Sequence, residues 1–334
     1  MRVLLTGGTS LLGAATARLL MRRGDDVVVL QRNPSGLGVE EQLGDISDRA
    51  TVTAAVASAE GVIHLAARVA VTGRWDEFHR TNVVGTTIVL EAARRAGVSR
   101  FVHVSSPSVA HTGHSLVGAP AGPAQPGRTR GAYATTKAQS EKMALSSSTD
   151  AFPVVAIRPH LVWGPGDRQL IARIVDRARR HRLVVVGSGT ALIDTTYIDN
   201  AADALVAALD RAPELGGEAL VVSNGQPRPV RELLERFVVA AGLEPPRISV
   251  PVPIAKAVGS VVERMWEGLN RSGVPPITRV LAEQLSTAHW FDQRRTREAL
   301  EWEPAVDLET GFHRLQAWFA ERRLTSGAPA PEDG

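Results

Sequence analysis

The chain has 334 residues, 44% apolar and 22% charged, with a formal net charge of +3. That is a globular composition, long enough for a main domain and a smaller one, and neither disordered nor basic enough to signal nucleic-acid binding. It contains no cysteine, which excludes disulfides, thiolate metal sites, iron–sulfur clusters and cysteine nucleophiles, and fits a reducing compartment such as the cytoplasm.

Val3–Thr6 reads as the first strand. The loop Thr6-Gly7-Gly8-Thr9-Ser10-Leu11-Leu12-Gly13 leaves it directly and opens a helix over Leu11–Arg23. Glycines permit a tight turn and close backbone approach, and the helix N-terminus beyond offers free N–H groups to a pyrophosphate. Thr6, Gly7, Thr9, Ser10, Leu11, Leu12 and Gly13 are therefore candidate cofactor contacts. Ser10 stands where the glycine pattern has its middle glycine; its Cβ would crowd a diphosphate, while its hydroxyl could donate to a phosphate oxygen.

The second strand, Asp26–Leu30, is followed by Gln31 and Arg32. An acidic residue there would hold the ribose hydroxyls of NAD; Gln31 does not repel a 2′-phosphate and Arg32 can bind one bidentately. NADP(H) is the expected cofactor. Asp45 and Ile46 are placed near the adenine, with a turn or cap as the alternative for Asp45. After a helix over Val52–Ala57 comes the strand Gly61–Leu65. A helix over Val83–Ala96 follows, with Asn82 at its start as an N-cap or as an orienting group for a lysine or a water.

The strand Phe101–Ser105 delivers Ser105, Ser106 and Ser108 to the carboxyl edge of the sheet, where ligands bind in doubly wound folds. Ser106 is the candidate to hydrogen-bond a substrate oxygen and stabilise charge developing there. Tyr133 and Lys137 share one face of a helix over Tyr133–Leu145. The ammonium is expected to draw the phenol's acidity toward the operating pH, for use in general acid–base catalysis. Val154–Arg158 is the next strand. Strand–helix alternation of this kind predicts an α/β fold, a doubly wound parallel sheet.

The second half predicts helices over Ile171–Arg180, Asn200–Leu209, Val230–Ala241, Ile254–Leu269, Ala282–Trp290 and Leu308–Phe319, with short strands at Leu183–Val186 and Val221–Ser223. The expected organisation is a dinucleotide-binding domain of residues 1–162 plus about 190–212. An interleaved substrate domain would take 163–189 plus 213–324, leaving a disordered tail over 325–334. The apolar helix Ile254–Leu269 reads as packing, against a lid over a long substrate or a peripheral membrane contact. No uncharged apolar run reaches the roughly 18 residues that span a bilayer, and no signal-peptide pattern is seen. The histidines lack acidic partners at ligand spacing, so no metal site is expected. Arg128 and Arg130 read as a solvated loop, or as contacts for an anionic substrate.

The segments TGGTSLLG, GDI, VIHLAA, NVVGT, VSS, YATTK and RPHLVWGPGD resemble, in order and spacing, the extended short-chain dehydrogenases/reductases. Within these the chain looks most like the 3β-hydroxysteroid dehydrogenase branch. WDEFHRTNVVGT, SSPSV and ITRVLAEQLSTAHWFD look especially like the 2-alkyl-3-oxoalkanoate reductases of bacterial olefin and β-lactone biosynthesis. The resemblance implies a catalytic set of Ser106, Tyr133 and Lys137, with proton donation by Tyr133 and cofactor ribose contacts from Lys137. It also implies that Ala66 and Ala67 line the cofactor, and that Pro159, His160 and Leu161 meet its nicotinamide end. The expected activity is NADPH-dependent reduction of a ketone on a bulky lipid-like substrate, a 2-alkyl-3-oxoacid giving the 3-hydroxyacid. The alternatives are a 3β-hydroxysteroid or sterol dehydrogenase and a non-catalytic NADP(H)-sensing protein. A homodimer through the Val83–Ala96 and Tyr133–Leu145 helices is what relatives suggest.

Overall fold

The structure is a computed structural model that describes residues 1–70, 73–111, 113–268 and 278–326. The first half forms β1 (Arg2–Thr6), α1 (Leu11–Arg23), β2 (Asp26–Gln31), β3 (Glu40–Leu43), α2 (Arg49–Val56) and β4 (Gly61–His64). It continues with α3 (Trp75–His79), a π-helical turn Arg80–Gly85, α4 (Thr86–Arg95), β5 (Arg100–Val104), β6 (Leu116–Ala119), α5 (Ala132–Ser146) and β7 (Val154–Pro159). The five strands that the apolar runs predict all form. β3 was not predicted, because its residues Glu-Glu-Gln-Leu carry none of the apolar signal of a buried strand; it is an edge strand, exposed at both ends and half-buried between them.

The second half runs β8 (Val162–Trp163), α6 (Leu170–Arg179), β9 (Val185–Val186), β10 (Leu192–Ile193), β11 (Thr196–Tyr197), α7 (Ile198–Arg211), β12 (Ala219–Val222) and β13 (Arg228–Pro229). Then come α8 (Val230–Ala240), β14 (Ser249–Val250), α9 (Val252–Gly268), α10 (Arg279–Ser286), β15 (His289–Phe291), α11 (Arg294–Leu300) and α12 (Leu308–Ser326).

Seven parallel strands form the main sheet in the order β12-β7-β5-β4-β1-β2-β3. From β1 the chain steps outward to β2 and β3, then returns to β4 on the other side. The carboxyl ends of β1 and β4 therefore flank the reversal point at which such sheets bind ligands. One face is covered by α1, α7 and α11, burying Val3, Leu20, Leu205, Leu209 and Leu300; the other is covered by α2 and α4, burying Leu4, Val52, Val89 and Ala93. A side chain of this size stabilises by roughly 1.5–3 kcal/mol when fully buried, which is why strands hidden on both faces must be apolar along their whole length.

A four-stranded sheet, β13-β10-β15-β6, lies outside this unit, as does a second core in which Trp163 stacks on Phe312 with centroids 4.8 Å apart. The expected boundaries are crossed in both directions. β6, expected with the dinucleotide domain, pairs with β15; β12, expected with the substrate domain, is the seventh strand of the main sheet beside β7.

Three predicted helices differ. The one read as Ala282–Trp290 stops at Ser286, and His289 and Phe291 are buried around a half-exposed Trp290 with the period of two of a strand. The one read as Val83–Ala96 starts earlier, so Asn82 lies inside the π-helical turn and not at an N-cap. Packing, the first reading of α9, accounts for one side only. Ala255 is buried, whereas Ile254, Val258, Val261 and Met265 are exposed; Leu269 lies outside the described residues. α12 carries Thr325 and Ser326, and the rest of the expected tail, 327–334, lies outside the described residues.

Candidate active site

The loop after β1 is shaped by close contacts. Gly7 takes φ +83°, and a Cβ there would meet the Ala66 backbone N at 3.0 Å. A Cβ on Gly13 would stand 2.3 Å from the Gly7 carbonyl oxygen, so neither position tolerates a side chain. Ser10 is the N-cap of α1: its hydroxyl accepts from Gly13 N at 3.0 Å and donates to the Gly7 carbonyl at 2.9 Å. Its hydrogen is spent inside the loop and is not free for a phosphate. The amides of Leu11 and Leu12, at the start of α1, carry no hydrogen bond among the described residues. Thr9 is exposed. Thr6 is fully buried; its hydroxyl bonds His64 Nδ1 at 2.8 Å and accepts from Ala66 N at 3.0 Å. Thr6 thus pins the turn that carries Ala66 and Ala67 and does not itself face the cleft.

At the end of β2, the Gln31 side chain is buried with neither amide atom bonded, and a Cβ on Gly8 would lie 3.2 Å from its Oε1. An unpaired buried amide is costly. Set beside free helix amides and a glycine turn, it fits a dinucleotide whose ribose and pyrophosphate would complete those bonds. Arg32 is exposed next to it. Burial pushes the Asp45 carboxyl up. Hydrogen bonds from Ser47 (N at 2.9 Å, Oγ at 2.8 Å) and the charges of Arg32 and Arg80 outweigh this, leaving it below the usual range. The turn role is therefore the one Asp45 fills. Arg80 brings a second cation to this end, unflagged in the sequence because it lies far from the β2 signal. Ile46 is buried against Gly85.

Ser106, Tyr133 and Lys137 come together. Ser106 caps the short 3-10 turn Pro107–Ala110 after β5, accepting from Ser108 N at 3.3 Å and from Ser108 Oγ at 3.0 Å. Two donated bonds leave the hydroxyl of Ser106 free to donate outward. Its side chain lies close enough to that of Tyr133, at the start of α5, to act on the phenol. Burial raises Tyr133 above the ordinary phenol value, with Ser106 working in the opposite direction. This corrects the expectation that the lysine lowers it. One turn on, the Lys137 ammonium is buried, donates to the Val104 carbonyl at 2.6 Å, and is pushed down to about 8 by burial, opposed by Glu141. Ser105 is buried with its hydroxyl unpartnered. The two histidines near Lys137 are neutral: burial and the lysine charge hold His64 at about 3 and His103 well below its ordinary value.

Asn82 is spent on positioning. Its Oδ1 accepts from Arg68 N at 2.7 Å, and its Nδ2 donates to the Arg68 carbonyl at 3.2 Å and to Thr136 Oγ1 at 3.0 Å. It ties the segment after Ala66 and Ala67 to the helix bearing Tyr133. Pro159 ends β7. The His160 N–H donates to Val222 and its carbonyl accepts from Thr196 Oγ1, while Leu161, with φ +43°, takes the Thr196 N–H on its carbonyl.

Sequence reasoning missed one component. Glu141, one turn beyond Lys137, forms a fully buried bidentate pair with Arg158 at 2.8 and 2.5 Å, and Arg158 Nη1 holds the Gly122 carbonyl at 2.7 Å. The i, i+4 spacing from Lys137 to Glu141 and an arginine just before Pro159 were the available signals. Arg130 is paired with Glu283 at 2.5 Å, and Arg128 is exposed. No group of metal ligands occurs among the described residues.

A model of the NAD dependent epimerase/dehydratase family matches residues 3–223. The chain belongs to that family, the extended short-chain dehydrogenases/reductases. It is 40% identical to a 2-alkyl-3-oxoalkanoate reductase of Stenotrophomonas maltophilia, over 95% of this chain and 99% of that one. It is 31% identical to a 3 beta-hydroxysteroid dehydrogenase/Delta 5-->4-isomerase of Mycobacterium tuberculosis, over 95% and 90%. Among solved structures, a short-chain dehydrogenase/reductase superfamily protein of Agrobacterium tumefaciens with bound NAD shares the fold. Its TM-score is 0.75 at 19% identity, covering 98% of this chain and 100% of that one. Like the reductase and the dehydrogenase to which it is similar, the chain is an oxidoreductase of the CH–OH/C=O class.

Proposed function

We propose that this chain is an NADPH-dependent ketoreductase that converts a 2-alkyl-3-oxoacid, or a ketone of similar lipid-like bulk, to the 3-hydroxyacid. One observation carries the reading. Ser106 and Tyr133 lie together at the sheet edge, with the buried ammonium of Lys137 one helical turn on from Tyr133, next to a cradle that fits a dinucleotide. The identity with 2-alkyl-3-oxoalkanoate reductase over nearly the whole chain supports the substrate class.

In this reading Leu11 and Leu12 offer their amides to the pyrophosphate, while Gln31 and Arg32, with Arg80, take the adenosine ribose and its 2′-phosphate. Ala66, Ala67, Pro159 and Leu161 line the rest of the groove. A reduced nicotinamide held there would supply the hydride that the carbonyl carbon takes. As negative charge gathers on the carbonyl oxygen, Ser106 donates a hydrogen bond to it and Tyr133 gives it a proton. A phenol whose pKa is raised by burial holds that proton until the oxygen becomes basic enough to take it, which suits the reductive direction. Lys137 then faces a phenolate and stabilises it until solvent restores the proton.

The mycobacterial relative supports a second reading, oxidation of a 3β-hydroxysteroid by the same three residues. A sensor without chemistry would not need all three. A homodimer through α4 and α5, and a cytoplasmic location read from the cysteine-free composition, complete the proposal. The test is a spectrophotometric panel: NADPH or NADH oxidation with 2-alkyl-3-oxoacids, and reduction of either oxidised cofactor with 3β-hydroxysteroids. Oxidation of NADPH by the oxoacids is the expected result. Turnover of the steroids alone would overturn the substrate, and turnover of nothing would overturn the enzyme.

A further inference from the structure

Three cations converge on one carboxylate beside the loop that leads into α5, and the reaction as described uses none of them. Glu283 of α10 is nearly buried. Its Oε2 accepts from Arg130 Nη1 at 2.5 Å, and its Oε1 lies 3.2 Å from Arg279 Nε and 3.9 Å from Lys256 Nζ on α9. Burial pushes the Glu283 carboxyl up, but the hydrogen bonds from Arg130 and Arg279 outweigh it and hold the group ionised, below its usual range. None of the three cations pairs with another carboxylate among the described residues. Glu263, on α9, accepts from the Arg279 backbone N at 3.0 Å. Even counted in full, its charge leaves the cluster net positive.

Arg130 stands between the two elements that carry the reaction. It immediately precedes Gly131, the N-cap of the helix that opens with Ala132 and Tyr133. Its loop is tied on both sides. Gln125 N donates to the Val109 carbonyl at 2.9 Å, in the turn that Ser106 caps, and Thr129 Oγ1 donates to Thr135 Oγ1 at 3.1 Å on α5. The guanidinium rests against Gly113, just beyond the Ser106 turn, at φ +94°; a Cβ there would meet Arg130 Cζ and Nη2 at 3.2 Å. Glu283 takes Nη1 alone. Nε and Nη2, the edge that can bind a carboxylate through two parallel bonds, carry no hydrogen bond among the described residues, and half the side chain is exposed. Glu283 thus orients the fork and leaves its other edge open.

We propose that the Nε–Nη2 edge of Arg130, braced by Glu283, receives the carboxylate of the 3-oxoacid. The proposal rests on the ketoreductase reading above and deepens it. In a 3-oxoacid only one carbon separates the carboxylate from the ketone, so its charge opposes the negative charge that grows on the ketone oxygen during hydride transfer. A guanidinium on the carboxylate offsets that repulsion, and the surplus positive charge around Glu283 draws the anion in. Because Arg130 is half-exposed, salt screens the pair. An ester of the acid, or a 3β-hydroxysteroid, has no anion to place there.

The test compares three probes: a 2-alkyl-3-oxoacid, its methyl ester, and the ketone that corrects for acid losing its carboxyl during the assay. For the wild-type protein we expect kcat/KM for the acid to exceed that for the ester about fivefold or more, the scale of a favourable exposed ion pair. That acid-to-ester ratio should fall as salt is raised from about 0.05 to about 0.5 M. Neither measurement needs a variant to fold. In Arg130→Gln the ratio should drop to near parity, with partial recovery in Arg130→Lys, which restores the charge without the fork. Glu283 keeps Arg279 and Lys256 in both variants, so no nearly buried carboxylate is left bare. Parity of acid and ester in the wild type, a ratio indifferent to salt, or an unchanged ratio in Arg130→Gln overturns the subsite while leaving the ketoreductase standing. Failure of the wild type to reduce any of the three probes sinks the ketoreductase reading and the subsite with it.

Discussion

Lys137 is the residue whose chemistry the structure constrains most tightly. Its ammonium has been taken out of water, and burial brings it down to about 8 against the pull of Glu141. Below that pH it is charged and can stabilise the Tyr133 phenolate left by proton donation; above it the charge is progressively lost. The reductive kcat should therefore hold level through neutral pH and fall as pH rises through about 8. A kcat profile measured with saturating NADPH checks this, and a rate still rising at pH 9 would contradict it. Tyr133 and Lys137 were legible in the sequence because two residues four apart on a helix must share a face. The direction of the tyrosine's shift was not, since it depends on how deeply the hydroxyl is buried and on the lysine having the Val104 carbonyl as its partner. The side-chain partners of Ser10 and Asn82 were hidden for a similar reason. Each bonds across a turn or between elements, and spacing alone does not reveal that.

At the scale of elements, the β1–α1 turn is the most constrained. Adding one methyl group at Gly13 puts it 2.3 Å from the Gly7 carbonyl, so Gly13→Ala must displace the turn that presents the Leu11 and Leu12 amides. NADPH affinity measured by fluorescence titration should drop at least tenfold; affinity within twofold of wild type would show that the turn is not the pyrophosphate seat. Ser10→Gly is milder, since glycine at an N-cap costs only a few tenths of a kcal/mol. The apolar strands of the main sheet could be read because burial on both faces leaves no other composition. β3 could not, being polar and at the edge, and neither could β15, whose three residues are too few to set a period against the preceding helix. The exposed apolar stripe of α9, Ile254, Val258, Val261 and Met265, looks like any amphipathic helix in sequence. Only the position of its neighbours reveals which face is left bare.

Across the whole molecule, Arg158 links the parts. It stands on the main sheet, pairs with Glu141 on the helix that carries Tyr133, and holds the Gly122 carbonyl of the long loop between β6 and α5. Glu141→Ala would leave the arginine charge buried without compensation, a loss of about 3–5 kcal/mol. Denaturant unfolding should register it, and a midpoint like that of the wild type would show the pair to be dispensable. The central claim is that Tyr133 delivers the proton. Its most direct test is Tyr133→Phe, assayed for NADPH binding by titration and for oxoacid reduction by NADPH oxidation. Turnover should fall by about 10²–10⁴-fold with nucleotide affinity close to that of the wild type; reduction at an undiminished rate would contradict the account.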